Sequence, residues 1–142
     1  PNLRITSIPS AHEFLEEDPQ RGHRYLGFII EVDGVRIYHA GDTCYYDGLL
    51  PRLRRQPLHL MMVPINGRDG RRYRENCIGN LTYQEAVDLI GQARPALACP
   101  AHYGMFARNT VDPALFVDYL TAKYPGQRYW VGEPFQAISY RA

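Results

Sequence analysis

The chain has 142 residues, 45% of them apolar and 22% charged, and a formal net charge of +1. That length and apolar content support one packed domain, or part of one, and argue against disorder. The near-zero charge leaves no electrostatic footprint for nucleic acid or for an anionic membrane surface.

Fifteen of the sixteen basic residues are Arg, Lys123 being the exception. Genome composition accounts for such a bias, and guanidinium forks suited to carboxylate and phosphate are the functional alternative. The three cysteines, Cys44, Cys77 and Cys99, form no C-x-x-C, so free thiols in a reducing, cytoplasmic setting are expected rather than a zinc ribbon or dithiol motif. No stretch is long and apolar enough for a bilayer and no signal peptide opens the chain, so no membrane partner is expected. The chain opens on Pro1 and reads as a strand almost at once, which points to a truncated start.

In chain order, residues 3–8 alternate apolar and polar, the pattern of a half-buried strand. Residues 9–13 form a turn carrying His12, and residues 16–23 are a charged surface loop with Pro19 and Gly22. Two β-rich runs, 25–32 and 35–39, flank Asp33-Gly34; Asp-Gly between such runs predicts a hairpin because both residues accept positive φ. Residues 46–55 predict a short helix interrupted near Pro51. The nearly unbroken apolar run 58–63 predicts a strand covered on both faces.

Residues 66–80 are long, charged and glycine-bearing, a loop of the length that tends to be functional. Thr82-Tyr83-Gln84-Glu85 is a capping box opening a helix that buries Ala86, Val87, Ile90 and Ala93 and ends before Pro95. Residues 96–99 are a short buried strand. Asp112-Pro113 pairs an N-cap with Pro at the first helical position, and the helix runs to about Lys123 with Phe116, Tyr119 and Leu120 inward. Residues 127–131 and 135–140 predict a closing hairpin around 132–134. Strands alternate with helices, so the class is mixed α/β, a sheet with helices packed on it.

Two motifs carry chemistry. Tyr38-His39-Ala40-Gly41-Asp42-Thr43 and Cys99-Pro100-Ala101-His102-Tyr103-Gly104-Met105-Phe106 each follow a predicted strand. A carboxylate and an imidazole delivered at strand ends are what a metal site on a stiff frame requires. Asp42 has two readings, a bridging metal ligand or the cap of a helix beginning near Tyr45. His102 and His12 are ligand candidates or partly buried histidines with a backbone partner. His39 is either a candidate to hold a carboxylate or ligand in place from behind or a plain strand-end histidine. The loop at 66–80 carries Arg68, Arg71, Arg72 and Arg74, either a fork for a phosphate or a solvated face with its own ion pairs. Asn66, Asn80 and Tyr103 are candidates to hydrogen-bond a substrate or oxyanion.

Taken in order, these motifs resemble the metallo-β-lactamase superfamily and, within it, the L-ascorbate-6-phosphate lactonase family. The resemblance is carried by residues 8–13, by Gly34 to Thr43, by Pro64-Ile65-Asn66-Gly67-Arg68-Asp69, by Ile78-Gly79-Asn80-Leu81-Thr82, and by residues 101–106 with Asn109-Thr110-Val111-Asp112-Pro113. It implies a four-layer αββα sandwich of two similar halves, with this chain, residues 1–142, as the C-terminal half. It implies that His12, Asp42 and His102 are the metal ligands of that half, Asp42 and His102 serving catalysis. The H-x-H-x-D-H cluster of the first half is nowhere in the sequence.

The implied activity is metal-dependent hydrolysis, the opening of a small phosphorylated sugar lactone at a site of two divalent ions, Mn²⁺ or Zn²⁺, with Asn66, Arg68, Asn80 and Tyr103 near the substrate and His39 behind the ligands. Two alternatives remain open, a phosphodiesterase on the same frame and a non-catalytic fragment or subunit. Alone, the chain is expected to be inactive, to bind metal weakly, and to expose a sheet face that self-associates or is covered by the missing half.

Overall fold

The computed structural model describes residues 2–133 and 135–140. A five-stranded mixed sheet forms its centre. It contains β1 (Leu3–Ser10), β4 (Tyr25–Val32), β5 (Val35–His39), β6 (Leu60–Pro64) and β7 (Leu97–Ala101), in the order β1-β4-β5-β6-β7. Between β1 and β4 a two-residue ribbon, β2 (Glu17–Asp18) with β3 (Gly22–His23), closes the charged surface loop. β1, β4 and β5 run antiparallel, and β4 and β5 meet at the Asp33-Gly34 turn, where both residues have positive φ. β5, β6 and β7 are parallel, so helices must carry the chain back between them.

Those helices are α1 (Leu49–Leu53), with Pro51 in its first turn, α2 (Gly70–Arg74), α3 (Tyr83–Ala93) and, after β7, α4 (Pro113–Lys123). The Thr82–Glu85 capping box forms in full at α3, and Asp112 caps α4 ahead of Pro113. α2 lies inside the segment read as a loop; Asp69 accepts from the Arg71 and Arg72 amides and nucleates it.

The core lies on one face of the sheet. Ile8, Ile29, Tyr38, Met61, Val63 and Ala98 are buried there against Leu49 and Leu53 of α1, Val87 and Ile90 of α3, and Phe116 and Leu120 of α4. The opposite face is a different surface. The register aligns Ile5, Ile30, Ile37, Leu60 and Leu97 in one apolar row across all five strands. Its outer part is open: Leu3 is 62% exposed, Ile5 58% and Phe28 38%.

Two expectations are corrected. The 58–63 run is not covered on both faces: Met61 and Val63 are buried, whereas Leu60 and Met62 are half-buried, because the helices pack on one side only. The closing hairpin does not form among the described residues. Tyr129 makes a single parallel bridge to Ala98, residues 135–139 are exposed without a ladder partner, and Pro134 of the expected turn lies outside the described residues.

Candidate metal centre

β1, β5 and β7 end at the same edge of the sheet, and the chain continues from them into His12, Asp42 and His102 respectively. In a sheet of this kind, ligands gather outside the carboxyl ends of the strands. The first two segments are tied together. The Ser10 hydroxyl donates to the Ala40 carbonyl (2.9 Å), the Ala11 amide donates to Thr43 Oγ1 (3.0 Å), and the Cys44 amide donates to the Ala11 carbonyl (2.7 Å). The Tyr46 hydroxyl adds a bond to the Pro9 carbonyl (2.5 Å). Gly27 makes room for the crossing: a Cβ there would stand 2.6 Å from the Ala40 carbonyl oxygen.

His102 sits at a left-handed backbone position, and His12 and Asp42 each sit beside one. His102 has φ +59°, Glu13 just after His12 has φ +72°, and Gly41 just before Asp42 has φ +62°. A non-glycine residue in the left-handed region costs of order 1 kcal/mol and persists where surrounding structure holds it, often at functional sites. No helix starts at Tyr45, so Asp42 has no helix to cap.

His102 Nε2 is 3.6 Å and His12 Nε2 3.9 Å from the same Asp42 Oδ2. These separations are too long for hydrogen bonds. They are close to the spacing of about 3.4 Å expected for two donors that each lie about 2.1 Å from a shared tetrahedral ion. His102 Nδ1 is buried without a hydrogen-bond partner among the described residues, and the His12 and Tyr25 rings pack edge to face with centroids 5.2 Å apart. Nitrogen and carboxylate donors suit Mn²⁺ or Zn²⁺ alike. The three side chains fit one side of a metal centre and do not close a cage: among the described residues no group of three or more His, Cys, Asp or Glu is arranged to hold an ion by itself.

The other candidate residues are placed as follows. His39 Nδ1 accepts from the Gly41 amide (3.1 Å), so it braces the turn before Asp42 rather than a ligand directly. Asn66 and Asn80, 2% and 1% exposed, are bonded to each other at 3.1 Å. Asn66 also donates to Asn109 Oδ1 (2.8 Å), an oxygen that Arg72 shares. Their amides staple the 66–80 segment internally, and of their side-chain atoms Asn80 Oδ1 lacks a partner among the described residues. Arg68 grips Glu85 with both terminal nitrogens, each at 2.6 Å, and also reaches the Asn80 carbonyl. The Tyr103 hydroxyl donates to the Gly132 carbonyl (2.7 Å).

Electrostatics fit this division. Burial pushes the Glu85 carboxyl up, but the Arg68 fork and the Thr82 amide outweigh it and the net direction is down. Asp69 is also lowered, first by the Arg72 amide and then by the Arg72 side chain. Burial raises both the Cys44 and Cys99 thiols, Cys99 to about 11, so neither is a ready thiolate. Ser10, Thr43 and Tyr46, which tie the His12 and Asp42 segments together, were not legible as such, because nothing in spacing announces a hydroxyl that bonds across thirty or more residues.

The sequence profile of the beta-lactamase superfamily domain matches residues 1–103. The chain is 34% identical over 112 residues to a UPF0173 metal-dependent hydrolase of Desulfitobacterium hafniense, covering 79% of this chain and 43% of that protein. It is 31% identical over 128 residues to one of Archaeoglobus fulgidus, covering 86% and 50%. It therefore spans about half the length of the curated relatives it matches. Among solved structures, the metallo hydrolase Igni18 of Ignicoccus hospitalis superposes with a TM-score of 0.77 at 23% identity, over 99% of this chain and 54% of that one. An isothiocyanate hydrolase from Delia radicum gut bacteria superposes at 0.71 with 12% identity, over 97% and 54%. With the domain match running from the first strand through His102, the chain belongs to the metallo-β-lactamase superfamily.

Proposed function

We propose that this chain is the C-terminal half of a metal-dependent hydrolase and supplies His12, Asp42 and His102 to a two-ion centre. The observation that carries the reading is the approach of two imidazole Nε2 atoms to one carboxylate oxygen at a single sheet edge. The names of the relatives as metal-dependent hydrolases support it, as does a length about half of theirs. The apolar row on the sheet, open at its β1 end, is the surface the other half would cover in a four-layer sandwich.

Asp42, His12 and His102 would hold the ions from this side of the centre. The bound ions would supply Lewis acidity and lower the pKa of water to about 7, giving a nucleophile at neutral pH. The chain's own residues position these donors through the Ser10, Thr43 and Tyr46 bonds and the left-handed turns. The substrate class we propose is a lactone, and specifically the phosphorylated sugar lactone implied by the ordered motifs shared with the L-ascorbate-6-phosphate lactonase family. Arg68 enters that reading only if it exchanges Glu85 for the phosphate.

The test is a panel of lactones, with and without a phosphate, and of phosphodiesters, given to the full-length protein loaded with Mn²⁺ or Zn²⁺. Ring opening that Asp42→Asn abolishes is the expected result. Turnover of phosphodiesters with inert lactones would overturn the substrate class; undiminished turnover in Asp42→Asn would overturn the centre. The chain by itself is expected to give no turnover, and calorimetry should give no two-ion isotherm of micromolar affinity.

A further inference from the structure

A cavity of about 300 Å³ lies away from the metal centre, between the edge strand β1 and the C-terminal end of α1. Thr6, Ser7, Arg52, Arg55 and Gln56 supply its polar wall, and Ile29 belongs to its apolar lining. No carboxylate lines it. Arg52 Nε is buried and has no hydrogen-bond partner among the described residues. The contrast with other arginines is sharp. Arg36, Arg68 and Arg72 each face a carboxylate, Glu31, Glu85 and Asp69. Among the described residues, the ion pairs include neither Arg52 nor Arg55.

A buried donor left without an acceptor is destabilising, and more so when the group is charged. Such a group in a folded protein calls for an explanation, an ion or water being the usual one. Here two guanidinium groups, the Thr6 hydroxyl on the helix-packed face of β1 and a side-chain amide surround space with no carboxylate in its lining. A guanidinium offers a planar fork of donors matched to the oxygens of a phosphate, and a hydroxyl and an amide complete the donor set. The volume is at the lower end of small-molecule sites: enough for a phosphate and a small carrier.

We propose that this cavity is a phosphate-binding site in which Arg52, supported by Arg55 and Gln56, holds the anion, separately from the metal centre. It shares no residue with His12, Asp42 and His102, and it requires no metal. Its ligand is a phosphate group, free or on a small molecule.

The experiment is a titration of the metal-free protein with inorganic phosphate and, in parallel, glucose 6-phosphate, at constant ionic strength. It is read by the NMR resonance of Arg52 Nε–H and by the thermal midpoint. A saturable shift of that resonance and a rise in the midpoint are expected, with Arg52→Gln weakening binding about tenfold or more, the loss of a charge-assisted bond. Arg52→Lys, which keeps the charge and loses the fork, should bind at intermediate strength. Tighter binding of glucose 6-phosphate would assign a carried phosphate; equal binding, a free one. An unmoved Arg52 resonance, or an equal effect of chloride at matched ionic strength, would overturn the proposal. Should Arg52→Gln not fold, the resonance in the unmutated protein and the Arg52→Lys variant decide.

Discussion

At His102 the backbone and the side chain make separate demands. The left-handed φ favours Asn or Gly, while the imidazole faces Asp42. His102→Asn is therefore expected to retain the thermal midpoint of the protein while lowering metal affinity at least tenfold, read by calorimetry with Mn²⁺. Arg68 and Glu85 make the opposite case, a charged pair whose work is structural. Because the folded-state pKa of Glu85 is lowered, its pairing contributes stability at pH above the unfolded carboxyl value, near 4.5, and that contribution is lost as pH falls through the lower folded value. An acid titration of Arg68→Ala should show less stability lost below pH 4.5 than in the parent. The same residue shows the limit of reading from sequence: an Arg in a charged loop suits a phosphate or a neighbouring Glu, and only the fold brings residue 85 within reach.

At the scale of elements, the local signals were the legible ones. Asp33-Gly34, the Thr82 box and Asp112-Pro113 act over two to four residues, and the chain folds there as the signals require. The 127–140 segment was misread because strand-like composition does not supply a partner: Tyr129 finds only the edge of β7, and the second arm has none among the described residues. Thr82→Ala should cost about 1 kcal/mol by denaturant unfolding, since it removes the acceptor of the Glu85 amide. Phe116→Ala, at the fully buried junction of α4 with the core, should cost about 3–5 kcal/mol. Gly91 belongs to the same interface; a Cβ would strike the Tyr124 ring, so Gly91→Ala should destabilise rather than strengthen α3 despite the helix preference of Ala.

For the whole molecule, the open sheet face decides behaviour in solution. A row of aliphatic side chains with exposed Leu3, Ile5 and Phe28 at its margin favours association. Sedimentation of the chain should give oligomers at high concentration, and Ile5→Lys with Phe28→Glu should shift it toward monomer; a clean monomer throughout would count against an unpartnered face. The motif order carried the superfamily in the sequence, because strand ends and turns fix where Asp42 and His102 emerge. One-sided burial of β6 was not legible, since an apolar run reads alike whether its second cover is present or elsewhere.

The split pairing of the sheet also sets a timetable for folding. The ribbon from β1 to β5 closes through nearby turns, whereas β6 and β7 must wait for crossovers that carry α1 and α3. Short closures form early and distant pairings late. His12 and Asp42 are thus expected to meet first and His102 last, so this chain's three candidate ligands come together late in folding. Substitutions in the Asp33-Gly34 turn should slow refolding, while those at the α4 junction should mainly hasten unfolding.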